Sequence, residues 1–151
     1  MSGPLAGRRR ISSGGPWEAA AGYSRAIVVG DTCHVSGTTD AGPDGRSAHP
    51  DDAAAQARSA WRIVGRALEE AGFRLDEIVR TRTYATRVQD VDAIAAVHGE
   101  VFGEIRPAAT LVVVAALIEP SLLVEVEAEA RLDEAGHSAL AAPPGEPGLP
   151  G

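Results

Sequence analysis

The sequence over residues 105–132 constrains the fold more than any other stretch, because it holds two β-rich runs separated by a short polar break. The runs cover residues 108–115 and 122–132, and the break consists of Glu119, Pro120 and Ser121. Proline has no backbone N–H to donate to a sheet, so the break predicts the connection between two strands. The first run is apolar at nearly every position, which predicts a strand that is covered on both faces.

The second run alternates between acidic and apolar residues, and this pattern places a row of carboxylates on one face of its strand. The row contains Glu125, Glu127 and Glu129. Two interpretations stay open, an ordinary solvated face or a place for proton transfer along the wall of a cleft. The periodicity does not choose between them, and for any single glutamate the solvated face is the ordinary case.

The charged residues exclude several classes of protein. The chain has 14 basic and 21 acidic residues, and its net charge of −7 opposes nucleic-acid binding as the main activity. Every basic residue is an arginine. Without lysine the chain can form no internal Schiff base, which excludes a conventional pyridoxal-phosphate enzyme, and it can hold no P-loop.

Cofactor, metal and membrane motifs are absent from the sequence. Cys33 is the only cysteine, which excludes an intrachain disulfide and any cysteine-based zinc site. We therefore expect no cofactor and no metal. No stretch approaches the roughly 20 apolar residues of a membrane helix, and the first residues lack the apolar segment of a secretory signal. We expect a cytoplasmic protein without membrane contact.

The length of 151 residues predicts one domain. Residues 1–16 are mainly Gly, Ser, Pro and Arg, so we expect a flexible N-terminal segment, with Trp17 as the first packed residue. The domain itself is expected over residues 17–132. Residues 133–151 are predicted to be a disordered tail, because their composition cannot bury enough apolar area to offset the entropy lost on ordering.

Three further strands are predicted from the β-rich runs. Residues 23–30 and 32–38 predict a hairpin with a tight turn, and residues 78–88 predict another strand. In the latter, Val79, Thr81, Thr83 and Ala85 are expected to share one face. The loop between the hairpin and the next element spans residues 40–50, which are dense in turn-forming residues.

Two helices are predicted by their apolar stripes and end signals. The first begins at Asp51 and Asp52 and ends at Gly72. The second follows Asp90, and its stripe contains Val91, Ile94, Ala95, His98, Val101 and Phe102. The order β-β-α-β-α-β-β predicts an α+β fold in which both helices cover one face of a single sheet. The opposite face then needs a cover, which suggests other subunits.

Three positions could carry chemistry, and each also has an ordinary structural explanation. His98 lies within an apolar stripe, where a histidine is usually a packing residue but can serve as an acid or a base beside a pocket. Ser36 and Gly37 end a strand, and Gly37 would let a ligand approach the backbone closely. Arg106 could clamp a carboxylate or pair with Glu104 or the glutamate row, and pairing is the more ordinary role.

Four segments together resemble the RidA/YjgF (Rid) family: GYSRAIVVGD, HVSGTT, RPAATLVVVAAL and LVEVEAEA. The resemblance spans approximately residues 23–132. It implies a chorismate-mutase-like α+β subunit with a single mixed sheet, a homotrimer with its sheets facing inward, and a ligand cleft at each subunit interface. The best-known members hydrolyse reactive enamine or imine intermediates to 2-oxo acids and ammonia. Others are described as ribonucleases or translation inhibitors.

The resemblance also implies which residues line the cleft. The family's tyrosine, serine-glycine pair and glutamate match Tyr23, Ser36, Gly37 and Glu125. Glu127 takes the place of Glu125 if the strand register is shifted. The family's signature arginine, which binds the substrate carboxylate, corresponds to Ala109 in this chain. The helix asparagine of the family corresponds to Ala95, and a cysteine that is frequent in the family corresponds to Leu111. His98 stands at a position where tyrosine is common.

The departures from the family pattern leave three functional hypotheses. The first is an enzyme that acts on a small imine, enamine or related electrophile without a carboxylate clamp. Tyr23, Glu125 and His98 would be its catalytic residues, with Glu125 and His98 facing each other as an acid–base pair. Ser36, Gly37, Arg106, Ala109 and Glu127 would line the substrate site. The second hypothesis is a non-catalytic trimer that binds a small metabolite, and the least favoured is a nucleic-acid-directed activity.

Overall fold

A mixed sheet of six strands forms the centre of the protein in a computed structural model, which describes residues 7–133. The strands are β1 (Arg8–Ile11), β2 (Ala26–Val29), β3 (Thr32–Thr38), β4 (Ile78–Ala85), β5 (Ala108–Val113) and β6 (Val124–Arg131). Their spatial order is β1-β2-β3-β6-β4-β5. Only the β4–β5 pair is parallel within this sheet, and the other neighbours are antiparallel. The predicted single mixed sheet of an α+β fold is confirmed.

Helices α2 (Ala53–Ala71) and α3 (Val91–Phe102) cover one face of the sheet, and a short helix, α1 (Pro16–Ala21), precedes β2. The side chain of Asp52 accepts a hydrogen bond from the amide of Ala55, and Gly72 ends α2 with a φ of 85°. Both predicted ends of this helix are therefore confirmed. At the N-terminus the Asp52 side chain accepts a hydrogen bond from a free N–H group, and at the C-terminus Gly72 adopts the left-handed conformation that commonly ends a helix.

The apolar stripe of α3 differs from the prediction. Ile94, Val97 and Phe102 are buried, whereas Ala95 is exposed. The carboxylate of Asp90 accepts a hydrogen bond from Nε of Arg87 and makes no hydrogen bond to the first turn of the helix, so Asp90 does not cap α3 with its side chain. Helix α3 begins where the sequence placed it, but it is rotated so that Val97 faces the core and Ala95 lies beside it at the surface.

The face of β4 that packs under the helices also departs from strict alternation. Thr81, Thr83 and Ala85 are buried as expected. Val79 is 48% exposed, and Ile78 is buried in its place. The register against β6 shifts between Ile78 and Arg80, and such a bulge reverses the side on which the earlier residues point.

The N-terminal residues include a strand that the sequence did not predict. Arg8–Ile11 pair with β2 along the sheet edge, so the expectation of a flexible segment over residues 1–16 is wrong for this part. Arg9 holds the strand further, since it donates to the carbonyls of Glu70 and Ala71 at the end of α2. Trp17 is 66% exposed rather than packed. Residues 1–6 and 134–151, including the predicted tail beyond Asp133, lie outside the described residues.

The sheet face opposite the helices, called the open face here, is uncovered within one chain. It carries the glutamate row of β6 and, at the sheet edge, Val112 of β5, which is 41% exposed. The prediction that the apolar strand is covered on both faces is therefore not met by a single chain. Within residues 7–133, no helix combines the length and the apolar character that a membrane crossing requires.

Candidate functional site

A bulge in β3 shapes the centre of the candidate site. Val35 pairs with Ala128 and Thr38 pairs with Val126, so Ser36 and Gly37 together oppose the single residue Glu127. A bulge of this kind leaves backbone groups without strand partners and bends the strand. A Cβ added to Gly37 would collide with Oε1 of Glu125 and lie 3.1 Å from its carboxyl carbon. The carboxylate of Glu125 lies against the backbone of Gly37, so a larger residue here would force that carboxylate to move.

Glu125 is a half-buried carboxyl group on the open face. Burial raises its pKa first, the neighbouring charge of Glu127 raises it further, and Arg25 acts in the opposite direction. A raised pKa makes a carboxylate a stronger base than an unperturbed one. Glu125 therefore fits proton transfer better than the other members of the row.

Glu127 and Glu129 are engaged in structural contacts. The hydroxyl of Tyr84 donates to Glu127 over 2.8 Å, and this bond raises the pKa of the tyrosine. Nη1 of Arg82 lies 3.6 Å from Glu127 and 3.2 Å from Glu129. For these two residues the ordinary explanation, a paired surface face, agrees with the structure.

Arg25 belongs to the site, although the sequence did not indicate it. Its Nη2 donates to the carbonyls of Ser36 and Gly37 over 2.6 and 2.7 Å and to Oγ1 of Thr38 over 2.7 Å. The hydroxyl of Ser36 in turn donates to the carbonyl of Ser24 over 2.6 Å. The bulge is thus fastened to the residues that precede β2. Only a serine-glycine pair inside a strand could have signalled the bulge in advance.

A groove of about 860 Å³ extends from the bulge toward the N-terminal segment. Its lining includes Arg10, Ser12, Glu18, Tyr23, His34 and Ser36. The structure therefore brings Tyr23 and Ser36 together, with Tyr23 45% exposed. We call Tyr23, Arg25, Ser36, Gly37 and Glu125 the open-face group.

His98 lies on the other side of the sheet. Its Nε2 is 2.8 Å from Oγ1 of Thr81, and its ring packs against Trp61 and Phe102, with ring centroids 5.8 and 4.6 Å away. Thr81 is fully buried on the helix face of β4. Burial lowers the pKa of His98, which favours the neutral imidazole. Within one chain His98 and Glu125 do not face each other, and the predicted acid–base pair is not formed there.

The residues that the resemblance places at the family's signature positions lie on the helix side of the sheet. Ala109 pairs with Thr81 in the parallel register and Leu111 pairs with Thr83, so both lie on the helix face of the sheet. Ala95 precedes His98 by one helical turn and is exposed, as is Ala109. We call Ala95, His98, Ala109 and Leu111 the helix-side group.

Arg106 is exposed and has a φ of 55°, in the left-handed region that non-glycine residues seldom adopt. Its amide donates to the carbonyl of Phe102 over 2.8 Å, which closes the end of α3. Among the described residues none of the ion pairs includes Arg106. The expected pairing with Glu104 or with the glutamate row is therefore not observed.

Comparisons with known proteins find relatives that match over most of the chain. The chain is 38% identical over 122 residues to an uncharacterized protein of Streptomyces coelicolor, covering 81% of this chain and 90% of that one. It is 28% identical over 123 residues to the human 2-iminobutanoate/2-iminopropanoate deaminase, covering 82% and 89% of the two chains.

Solved structures show the same fold. A crystal structure of a YjgF/YER057c/UK114 family member from Mycobacterium tuberculosis aligns with a TM-score of 0.75 and 45% identity, over 83% of this chain and 99% of that one. Residues 15–132 match the sequence profile of the family described as Endoribonuclease L-PSP. The chain belongs to this family, the RidA/YjgF proteins.

Proposed function

We propose that the protein is a homotrimer with a small-molecule cleft at each subunit interface. The observation that carries this proposal is the separation of the two groups within one chain. The resemblance assigns both to a single cleft, yet the open-face group and His98 lie on opposite sides of the sheet. Two copies are needed to bring such groups together, and the exposed valines of β5 supply apolar surface for the contact.

The chemistry that this cleft supports best is hydrolysis of a small imine or enamine. An enamine first gains a proton at its β-carbon and thereby becomes an imine. Water then adds to the C=N carbon, the nitrogen gains a proton, and the tetrahedral intermediate collapses to a carbonyl compound while the amine leaves. Glu125 takes the proton from water and returns it to the nitrogen, a role that its raised pKa suits. The Ser36 and Gly37 backbone orients the ligand. The name of the human relative, an imine deaminase, supports this class of substrate.

The preferred substrate carries no carboxylate at the clamp position. Ala109 and Ala95 are small, uncharged and exposed, so neither can form the oriented pair that an arginine makes with a carboxylate. We therefore expect weak hydrolysis of 2-iminobutyrate and 2-iminopropionate in a coupled dehydratase assay. Activity equal to that of an arginine-bearing relative would show that another cation replaces the clamp. Arg106 is the first candidate, to be tested with Arg106→Ala.

Subunit complementation tests the shared cleft. Glu125→Gln disables one wall and Ala95→Trp blocks the other, so each purified variant should release little ammonia from a panel of small imines. After unfolding and refolding together in equal amounts, about a quarter of the clefts regain two intact walls by random assembly. Activity near that fraction supports the proposal. Light scattering that shows a stable monomer at micromolar concentration, or a mixture without recovered activity although trimers form, overturns it.

A non-catalytic trimer that binds a small metabolite is the second candidate. It is favoured by the position of His98, which provides no second acid–base group opposite Glu125 within the chain. Glu125→Gln separates the two functions, because a binding protein retains ligand affinity in this variant and shows no turnover before or after the change. An enzyme loses turnover while the neutral side chain preserves much of the binding. The net charge of −7 opposes the RNA-directed activity that the family description names.

A further inference from the structure

Arg25 makes an unusual set of contacts for an arginine near a protein surface. Its Nη2 serves three acceptors on three consecutive residues of the β3 bulge, the carbonyls of Ser36 and Gly37 and the hydroxyl of Thr38. None of the ion pairs within residues 7–133 includes it. The guanidinium therefore donates hydrogen bonds to oxygen atoms of the bulge, two of them backbone carbonyls, rather than forming an ion pair with a carboxylate.

The bulge explains why these oxygens need a cation. Two residues of β3 stand opposite one of β6, so the ladder cannot satisfy all of their backbone groups. A hydrogen bond from a charged donor is stronger and more directional than one from a neutral group. Nε of Arg25 is buried without a hydrogen-bond partner in the described part of the chain, so the contacts of Nη2 dictate how the guanidinium lies.

The position of the bulge decides where Glu125 can lie. Its carboxylate rests on Gly37 so closely that a single added carbon would displace it. Three charged or titratable groups face Glu125: Arg25 from the segment before β2, Glu127 from its own strand, and Tyr84, its register partner on β4. Arg25 is the only cation among them, and it opposes the effects of burial and of Glu127 on the pKa of Glu125.

We propose that Arg25 is a positioning residue, which holds the Ser36–Thr38 bulge in the shape that seats the carboxylate of Glu125 over Gly37. Arg25 acts through these residues and need not touch the ligand. The inference rests on the proposed function only in taking Glu125 as the group that the site uses. It is tested on the free protein, so a failure to find imine hydrolysis leaves it standing.

Two substitutions separate the geometric role of Arg25 from its charge. Arg25→Gln removes both, while Arg25→Lys keeps the charge but cannot serve three acceptors from one rigid fork. The first measurement is hydrogen exchange at the amide of Ser36, which donates to the carbonyl of Arg25 over 3.0 Å. The second is the titration of the Glu125 carboxyl carbon by NMR. Arg82→Gln is the matched control, because it removes a cation from the same face without touching the bulge.

The expected result is an exchange rate at Ser36 that rises about tenfold in both Arg25 variants and stays unchanged in Arg82→Gln. The midpoint of the Glu125 titration should rise by about one pH unit in Arg25→Gln and return toward the wild-type value in Arg25→Lys. Wild-type exchange in Arg25→Lys overturns the proposal, even if Arg25→Gln does not fold. An equal rise in exchange in the control also overturns it, since the bulge would then respond to any lost charge.

Discussion

The two groups of residues that the family resemblance assigns to one cleft are built in opposite ways. The open-face group is charged and tightly tied, with Arg25 and Glu125 acting on a strand bulge. The helix-side group consists of Ala95, Ala109, Leu111 and one histidine that aromatic rings enclose. Burial raises the pKa of Glu125 and lowers that of His98, so burial disfavours the charged form of both side chains.

Under the proposed function, the two groups have different roles. Proton transfer is assigned to the open-face group, because it combines a carboxyl group of raised pKa with a glycine in a strand bulge. The helix-side group offers small apolar side chains, which select a ligand by shape and by the lack of charge. Substitutions in the first group should therefore abolish a reaction, whereas substitutions in the second should change which substrate is used.

Gly37→Ala is expected to have the largest effect. The added Cβ collides with the carboxylate of Glu125, which must leave its place over the bulge. Loss of a positioned proton-transfer group costs roughly 100-fold or more in rate. Ammonia release from the imine that the wild type hydrolyses best should fall by that order.

The matched control for this substitution is Gly65→Ala in α2. A Cβ at Gly65 meets nothing within 4 Å, and alanine suits a helix better than glycine by about 1 kcal/mol. The control should keep full activity and gain stability. Wild-type activity in Gly37→Ala would show that the position of Glu125 does not matter to the reaction.

Much of the fold could be predicted because its signals are local. The capped ends of α2, the strand over residues 32–38 and the break at Pro120 each depend on residue types within a few positions. The short strand β1 could not be found in this way. Three arginines before an isoleucine carry no alternating apolar pattern, and the strand exists because its backbone completes the edge beside β2.

The site was less predictable because it depends on pairing between distant strands. The family resemblance placed Gly37 and Glu125 in one cleft, but their direct contact follows from a register shift between β3 and β6. Arg25 gave no signal, since its acceptors are backbone atoms of the bulge. The stripe of α3 indicated that His98 faces the core, yet periodicity does not tell which face of the sheet the helix covers.

Ala109→Arg is expected to have the next largest effect, which is a change in preference between imines with and without a carboxylate. A guanidinium at this exposed position can bind a carboxylate in two parallel hydrogen bonds. The kcat/KM for 2-iminobutyrate should rise about tenfold relative to that for an imine without a carboxylate. Ala96→Arg is the control, because it adds the same charge at a different exposed position, on α3 rather than β5. An equal rise in both variants would attribute the gain to general attraction of anions.

His98→Gln should reduce the loss of stability on acidification. The folded pKa of His98 lies below its unfolded value of about 6.5, so the histidine contributes stability above that pH. This contribution is lost as the pH falls through the folded pKa. Denaturant unfolding at fixed protein concentration, at pH 7.5 and at pH 5, should show a smaller decrease in the variant than in the wild type. Equal decreases would mean that His98 is not desolvated.

Glu125→Gln should have the smallest effect on stability, and that effect should depend on pH in the opposite direction to the effect of His98→Gln. The folded pKa of Glu125 is raised, so its protonated form stabilises the fold fully below the unfolded value near 4.5 and this stability is lost as the pH rises through the folded pKa. At pH 7 the wild type retains an unfavourable charge, which glutamine removes. The gain in the free energy of unfolding should stay below about 1 kcal/mol, since solvent screens a half-buried carboxylate and Arg25 offsets part of the cost. The gain should vanish near pH 4, where both side chains are neutral.

A variant that is less stable than the wild type at pH 7 would contradict this prediction. It would show that Arg25 stabilises the ionised carboxylate of Glu125 by more than burial and Glu127 destabilise it. The open-face group would then contain an ion pair rather than a proton-transfer site.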